Sequence, residues 1–149
     1  MTHQLAELWP DDTIGIIKIS VGGTGIRAFE KNWSEEHVRP TFDQAKGSMY
    51  KDLMNAVEEA RNVSNPAFSG FVWKQGAADG TRKDLADEYY ETFKQLVADL
   101  RKDLATPDMP VFVLTYLNDQ DIAKAETVAK ATGKEAKRKH IATVLRAQN

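Results

Sequence analysis

Three short apolar runs constrain the fold of this chain more than any other feature of its sequence. They span residues 14–20, 68–75 and 111–117, and each is rich in β-branched or aromatic residues and bounded by turn-forming residues. Such runs are typical of buried strands. Because the apolar residues are nearly continuous rather than alternating, both faces of each strand should be covered, as in a parallel sheet between layers of helices.

Helical patterns separate the predicted strands. Ser48 is placed to cap a first helix that ends near residues 62–66. A capping-box-like start at Thr81 and Asp84 opens a second helix, whose apolar stripe extends to Leu104. Each predicted strand therefore follows or precedes a helix.

The last part of the chain reads as two further helices, over residues 121–132 and 134–147, with no additional strand. Strands that alternate with helices predict a single α/β domain over residues 1–149. Its expected architecture is three-layer α/β/α around a small parallel sheet. The stretch 29–47 fits neither pattern and is predicted to be an irregular surface segment.

Composition narrows the possible partners. With 42% hydrophobic and 28% charged residues among 149, the chain resembles an ordinary globular domain. A formal net charge of −2 gives no general attraction to nucleic acid, and no apolar run approaches the roughly 18 residues of a membrane span, so we expect neither partner. The absence of cysteine excludes disulfides and thiol nucleophiles. Residues 1–9 lack the pattern of a secretory signal peptide, which leaves the localisation unknown.

Two of the predicted strand ends carry residues suited to binding a ligand. In an open parallel sheet, ligands bind at the carboxyl ends of the strands. The first predicted strand runs into Gly22, Gly23 and Gly25, a turn whose backbone amides can approach a ligand closely. The second runs into Gln75 and Asp79, which supply an amide and a carboxylate beside further glycines.

An ordered set of segments resembles the sialate O-acetylesterase and acetylxylan esterase group of SGNH hydrolases. The set comprises Ile-Gly-Ile-Ile-Lys at 14–18, Gly-Gly-Thr at 22–24, Trp-x-Gln-Gly-x-x-Asp at 73–79, a Tyr-containing helix ending at Asp103, and a Pro-led strand at 110–116. The resemblance implies a flavodoxin-like SGNH hydrolase fold and an activity that removes acetyl groups from carbohydrates. Intact members of this group are often secreted or periplasmic.

The resemblance also implies roles for individual residues. In such esterases a serine attacks the acetyl carbonyl, a histidine acts as base, and a backbone amide with a side-chain amide stabilises the oxyanion. By resemblance, Gly23, or Gly22 beside it, is the backbone donor and Gln75 the side-chain donor. The residues expected to contact an O-acetylated carbohydrate are Gly22, Thr24, Gly76 and Asp79. No cofactor is expected.

The chain departs from the family pattern at three points. A Gly-Gln-Ser-Asn nucleophile segment and an Asp-x-x-His are both absent, since Lys137 stands where the Asp would precede His140. Ala77 follows the Gln-Gly pair where the family commonly has Glu. We therefore expect a domain truncated at both ends that does not hydrolyse esters by itself. The alternative is a non-catalytic α/β module that binds glycans or another chain.

The absent nucleophile segment has an expected structural consequence. In the family it lies on a strand between those that residues 14–20 and 68–75 resemble. Its absence would leave unpaired strand edges and exposed apolar surface. Self-association through exposed sheet edges is the expected result.

Other interpretations of the same segments remain open. Residues 23–28 form a Gly-x-Gly-x-x-Ala string with Asp43 about 20 residues on, which indicates dinucleotide binding only where a strand precedes the string and a helix opens there. Ser20 half resembles a nucleophile elbow, although the first glycine of that motif is missing. Gln75 is also explained as a buried structural amide, and Asp79 as a helix cap.

The remaining conspicuous residues are interpreted as structural. Trp73 alternates with Phe71 along its strand, so it is expected in the core rather than as a platform for a sugar. A basic cluster in the last predicted helix is expected to face solvent. Its members are Lys130, Lys134, Lys137, Arg138 and Lys139. The three histidines share no metal-binding spacing, and no metal site is predicted.

Overall fold

The computed structural model describes residues 2–41 and 43–115, together with Ala123, His140, Thr143 and Val144. The α-helices of this part are α1 (Thr2–Leu8), α2 (Glu35–Val38), α3 (Met49–Val63) and α4 (Lys83–Asp103). The strands are β1 (Phe71–Trp73) and β2 (Val111–Val113), and short 3-10 helices span Ile26–Phe29, Arg39–Thr41, Gln44–Lys46 and Asp79–Thr81. Apart from the single positions named above, the helices predicted at 121–132 and 134–147, with their basic cluster, lie outside the described residues.

Helix α3 begins where the sequence predicts it. Ser48 is its N-cap, and the Ser48 hydroxyl oxygen accepts a hydrogen bond from Lys51 N at 3.1 Å. Apolar residues at spacings of three and four turn toward the core. They are Tyr50, Leu53, Met54 and Val57. The predicted start at Ser48 is therefore confirmed.

Helix α4 is the longest helix described, and its start differs from the prediction. Its N-cap is Arg82, which makes no side-chain capping hydrogen bond. The Thr81 hydroxyl donates to Ala78 O at 2.6 Å, and Asp84 forms an ion pair with Arg82. The predicted capping box of Thr81 and Asp84 is wrong, because the 3-10 turn that precedes α4 already uses the Thr81 hydroxyl.

The two strands form a short parallel sheet with unlike faces. The paired residues are Phe71 with Val111, Val72 with Phe112 and Trp73 with Val113. Trp73 is 5% exposed, whereas Val72 and Phe112 on the opposite face are 43% and 57% exposed. We call the surface formed by Val72 and Phe112 the outer face of the sheet. The predicted α/β class with a small parallel sheet is confirmed.

No strand forms at residues 14–20. Residues 13–21 have no regular secondary structure, and Ile16 is 48% exposed. A strand needs a neighbour that accepts and donates its backbone hydrogen bonds, and within the described residues β1 pairs only with β2. The prediction of a strand at 14–20 is wrong, because strand propensity without a pairing partner does not make a strand.

An aromatic core surrounds Trp73. Its ring stacks on Phe93 with centroids 5.7 Å apart and meets Phe29 edge-on at 4.9 Å. The indole Nε1 donates to Tyr89 Oη at 2.9 Å, so the polar group of this buried ring is satisfied. Trp73 is thus a core residue, as predicted, and it fixes β1 against α4.

The segment 29–47 is more ordered and more buried than predicted. It contains α2 and two short 3-10 helices, and Val38 and Asp43 within it are fully buried. The prediction of a surface segment is wrong at these two residues, because Val38 packs inward from α2 and Asp43 binds a backbone amide. Just before the segment, Arg27 donates to both carboxylate oxygens of Glu88 in α4, at 2.5 and 2.7 Å, which raises the pKa of Arg27.

Candidate functional site

The glycine turn, residues 21–25, requires glycine at two positions for different reasons. Gly23 has a φ of 69°, a left-handed conformation that residues with a side chain rarely adopt. At Gly25 an added Cβ would lie 2.7 Å from Thr41 Cγ2, which is too close. A Cβ on Gly22 would meet no atom within 4 Å. The turn is therefore constrained at Gly23 and Gly25 and open at Gly22.

Three carbonyl groups of the glycine turn accept hydrogen bonds from side chains. Thr24 Oγ1 donates to Val21 O at 2.8 Å, and Lys46 Nζ donates to Gly22 O at 3.3 Å. Gln75 Nε2 donates to Thr24 O at 2.9 Å. Side chains, rather than a neighbouring strand, therefore hold the backbone of this turn.

The segment after β1 reaches the glycine turn through Gln75. Besides its bond to Thr24 O, Gln75 Nε2 donates to Asp79 Oδ2 at 2.5 Å. Gly76 follows with a φ of 119°, which again favours glycine. The structure thus brings together the two segments that the sequence singled out, with Gln75 and Thr24 being 51 residues apart.

Asp79 is a fully buried carboxylate that joins the same two segments. Its oxygens accept from Ile26 N at 3.0 and 3.3 Å, in addition to the bond from Gln75 Nε2. Burial raises the pKa of Asp79, the hydrogen bonds from Gln75 and Ile26 lower it, and the nearby charge of Asp43 raises it, with a net upward shift. The cap of the following helix is Arg82, so the interpretation of Asp79 as a helix cap is wrong: its carboxylate is bonded to Ile26 instead.

Asp43 and Lys46 form a part of the site that the sequence did not predict in this role. Asp43 Oδ2 accepts from Gly25 N at 2.8 Å. Asp43 Oδ1 lies 2.7 Å from Lys46 Nζ, and the two form an ion pair whose angles are not those of a hydrogen bond. The Asp43 side chain is 0% exposed and that of Lys46 24% exposed. No local motif marks these residues, since the contact with Gly25 spans 18 positions and depends on the fold.

The amides of Gly22 and Gly23 differ from those that follow them. Gly25 N and Ile26 N donate to buried carboxylates. By contrast, Gly22 N and Gly23 N meet no acceptor within residues 2–41 and 43–115, and both residues are exposed. Adjacent amide donors on an exposed turn can donate to an anionic oxygen of a ligand.

The four predicted substrate-binding residues differ in accessibility. Gly22 is exposed, whereas Thr24, Gly76 and Asp79 are buried. In this structure the side chains of Thr24 and Asp79 bond to backbone groups of the glycine turn and of Ile26 next to it. Contact between these residues and a sugar stays a prediction.

The structure does not have the features that the dinucleotide-binding interpretation requires. Residues 13–21 before the string 23–28 form no strand, and the helix that follows is the four-residue 3-10 helix Ile26–Phe29. Asp43 is buried against Gly25 N rather than placed at the end of a second strand. Ser20 lies exposed in the segment without regular structure.

The described residues contain neither a candidate metal centre nor a helix suited to crossing a membrane. Within them, no group of three or more His, Asp or Glu side chains is placed to hold a metal ion. The helices of the same residues include none with the length and apolar character needed to cross a bilayer. The imidazole of His37 contacts Glu30, and His140 N donates to Gly80 O at 3.0 Å, next to Asp79.

Comparison with known families gave one match. A family model described as carbohydrate esterase, sialic acid-specific acetylesterase, matches residues 2–149. Neither the curated proteins nor the solved structures gave a match. The matched range includes every described residue of the glycine turn and of the segment after β1, and it confirms the resemblance that the strand-end motifs indicated.

Proposed function

Because this chain belongs to the sialic acid-specific acetylesterase family of carbohydrate esterases, we propose that it carries the oxyanion-stabilising part of an O-acetylesterase site. Its ligand is an O-acetylated carbohydrate. The observation that supports this most directly is the hydrogen bond from Gln75 Nε2 to Thr24 O at 2.9 Å. That bond brings the candidate side-chain donor to the turn that holds the candidate backbone donor, Gly23.

In this proposal, Gly23 N–H and Gln75 Nε2 donate to the oxygen of the tetrahedral intermediate that forms at the acetyl carbonyl. The Gly23 amide gives up no hydrogen bond in doing so, since it is exposed and has no acceptor within residues 2–41 and 43–115. Gln75 Nε2 has two donor hydrogens, which bond to Thr24 O and Asp79, and one of these bonds is exchanged for the oxyanion. Each such donor contributes about 3 kcal/mol of transition-state stabilisation.

The chain's own sequence does not supply the nucleophile and base of the family mechanism. It contains neither a Gly-Gln-Ser-Asn segment nor an Asp-x-x-His, and Ala77 stands where the family commonly has Glu. Ser20 is exposed, and no described histidine bonds to it. We therefore propose that the chain binds the acetyl group of a sugar but does not release acetate by itself.

Binding and turnover are tested separately. The 15N-labelled chain is titrated with an O-acetylated sialic acid and with the same sugar lacking the O-acetyl group. We expect acetyl-dependent shifts of the Gly23 amide and the Gln75 side-chain amide in NMR spectra, and no acetate release above the blank.

Gln75→Ala is expected to abolish the acetyl-dependent shift at Gly23. Gln95→Ala is the matched control, because Gln95 is an exposed amide on α4 that contacts Asp99. An equal response to both sugars would refute the proposed site. Sustained acetate release that Gln75→Ala removes would refute the proposed lack of turnover.

A second candidate function, a non-catalytic module that contacts another chain, is favoured by the outer face. Val72 and Phe112 are register partners with exposures of 43% and 57%, and Leu114 just beyond β2 is 47% exposed. Adjacent exposed apolar side chains on a short sheet are typical of a protein contact. We propose self-association through the outer face and through the sheet edges, which have no further strand among the described residues, as the form this contact takes.

A further inference from the structure

We propose that Lys46 is a positioning residue that orients the Gly23 amide toward the ligand. This inference rests on the proposed function, because Lys46 acts through the proposed backbone donor and not on the ligand itself. The starting observation is the hydrogen bond from Lys46 Nζ to Gly22 O at 3.3 Å.

The Gly22 carbonyl and the Gly23 amide belong to one peptide unit. No described peptide bond is cis, so this unit is trans and planar, and its C=O and N–H point in opposite directions. Lys46 holds the C=O toward itself. The N–H of Gly23 therefore points away from Lys46, on the opposite side of the peptide unit. A side chain remote from the N–H thus sets the direction in which Gly23 donates.

A peptide unit between two glycines needs such a restraint. Neither Gly22 nor Gly23 has a side chain that limits rotation of the backbone, so the unit can turn over at low energetic cost. The carbonyl before it is held by Thr24 Oγ1, and the amide at Gly25 is held by Asp43. Within the described residues, Lys46 is the side chain that holds the unit between them.

Lys46 is itself held in place by Asp43. Its Nζ lies 2.7 Å from Asp43 Oδ1, and Asp43 Oδ2 accepts from Gly25 N at 2.8 Å. Asp43 therefore reaches the glycine turn twice, directly at Gly25 and through Lys46 at Gly22. Because Asp43 is 0% exposed, the ammonium group has a fixed counter-charge beside it.

The ion pair with Asp43 indicates that Lys46 orients the peptide unit between Gly22 and Gly23 rather than attracting an anionic ligand by its charge. The carboxylate of Asp43 offsets much of the positive charge of Lys46, so the ammonium is not a free cation for an anionic ligand. The hydrogen bond to Gly22 O also polarises the peptide unit, which makes the Gly23 N–H a stronger donor. Orientation and polarisation of one amide are therefore the effects assigned to Lys46.

The first test measures the mobility of the Gly23 amide in the 15N-labelled chain with no ligand. In the wild type we expect a backbone order parameter of about 0.85, typical of rigid backbone, and in Lys46→Met a fall to below about 0.6. Lys46→Arg keeps a cationic donor and is expected to restore the wild-type value. The amides of Gly25 and Ile26 should keep their order parameters in all three proteins, because Asp43 and Asp79 still hold them.

The second test adds acetate at constant ionic strength, with chloride as the reference salt. We expect a saturable shift of the Gly23 amide in the wild type and, in Lys46→Met, a midpoint concentration raised at least about tenfold, equivalent to about 1.4 kcal/mol. Lys83→Met is the matched control, since it removes the same charge from an exposed ion pair with Asp87.

The two tests distinguish this inference from the proposed function. An unchanged Gly23 order parameter and an unchanged acetate midpoint in Lys46→Met would overturn the role of Lys46 and leave the oxyanion site intact. A lowered order parameter without any acetate response in either protein would support the role of Lys46 and refute the oxyanion site. An equal loss of order at Gly25 and Ile26 would overturn the inference by indicating a general structural role.

Discussion

The glycine turn and the outer face of the sheet lie in the same small fold and are stabilised in opposite ways. Around the turn, backbone carbonyls and amides bond to side chains, among them two carboxylates with 0% exposure. At the outer face, Val72 and Phe112 remain 43% and 57% exposed. The comparison indicates that a loop can be fixed by side-chain hydrogen bonds even where the sheet beside it is minimal.

The difference matters because the two regions contribute to folding through different interactions. The turn depends on buried hydrogen bonds, and the outer face is apolar surface that remains exposed. Buried polar groups stabilise a fold only when their hydrogen bonds are satisfied. The hydrogen bonds around the turn form only in this arrangement of the backbone. Apolar surface that stays exposed contributes nothing until a partner covers it. We therefore expect substitutions at the turn to act on conformation, and substitutions at the outer face to act on association.

The largest effect is expected when the buried and outer faces of the sheet are compared by one substitution on each. Trp73→Ala is expected to lower the free energy of unfolding by about 3–5 kcal/mol, because a ring packed on Phe29 and Phe93 leaves a cavity. Phe112→Ala on the outer face is expected to change it by less than about 1 kcal/mol. Urea denaturation of both variants, at a protein concentration at which the wild type is monomeric, measures the difference. Similar losses in the monomer would contradict the exposure of the outer face.

The next prediction concerns association through the outer face. Phe112→Lys is expected to weaken self-association at least about tenfold, or about 1.4 kcal/mol, because it places a charge in an apolar contact. Val63→Lys is the control, since Val63 is an exposed apolar residue at the end of α3 with 89% exposure. Sedimentation equilibrium over a range of concentrations measures both. A wild-type chain that stays monomeric throughout would refute association by this face.

A smaller effect is expected within the glycine turn. Gly23→Ala is expected to destabilise the fold by about 1–2 kcal/mol, because residue 23 has a left-handed φ of 69°. Gly22→Ala is expected to change stability by less than about 0.5 kcal/mol, since the space around its Cβ position is open. Chemical denaturation of the two variants compares them. Equal costs at 22 and 23 would contradict the left-handed conformation.

The last prediction concerns the direction of a pH dependence rather than its size. The pKa of Asp79 is raised above its ordinary value of 3.8, mainly by burial. Its contribution to stability is therefore fully present below about pH 3.8 and is lost as the pH rises through the raised folded-state pKa. Relative to Asp79→Asn, the wild type should lose stability as the pH rises above about 3.8.

Denaturation of both proteins across this pH range measures that difference. Other titrating groups are common to the two proteins and cancel in the comparison. Asp84 is a useful contrast, because the hydrogen bond from Arg82 lowers its pKa. Relative to Asp84→Asn, the wild type therefore gains stability as the pH rises. That effect should be small, since both partners are exposed. A wild type that gains stability over Asp79→Asn as the pH rises would contradict the raised pKa.

Local signals in the sequence predicted the elements that depend on local structure. The start of α3 at Ser48 follows from one cap and one apolar stripe, and β1 and β2 follow from short apolar runs. The run 14–20 has the same kind of signal and forms no strand, because pairing depends on which other segments lie beside it. The cap of α4 was misplaced for a local reason, because the 3-10 turn before Arg82 already uses the Thr81 hydroxyl.

The sequence predicted the two segments of the candidate site but not the side-chain hydrogen bonds that hold them. Glycines and an amide after predicted strands drew attention to the segments of Gly23 and Gln75, and the family resemblance implied their roles as donors. The bonds from Asp43 to Gly25 and from Lys46 to Gly22 span 18 and 24 residues. Asp79 is only four residues from Gln75, but its bond to Ile26 spans 53. Sequence patterns do not predict such contacts. In the sequence, an Asp on an irregular segment cannot be distinguished as one that is solvated or one that binds a buried amide.

In the proposed site, the open space around a Cβ at Gly22 makes this the position of the turn best suited to a substitution that changes ligand selectivity. A Cβ there would meet no atom beyond its chain neighbours within 4 Å, whereas a Cβ at Gly25 would lie 2.7 Å from Thr41 Cγ2 and Gly23 has a φ of 69°. A side chain introduced at 22 would belong to a residue next to the exposed amide of Gly23. In the proposed site, a substitution at 22 is therefore expected to act as a steric filter on the size of the acyl group, while Gly23 is kept as the backbone donor.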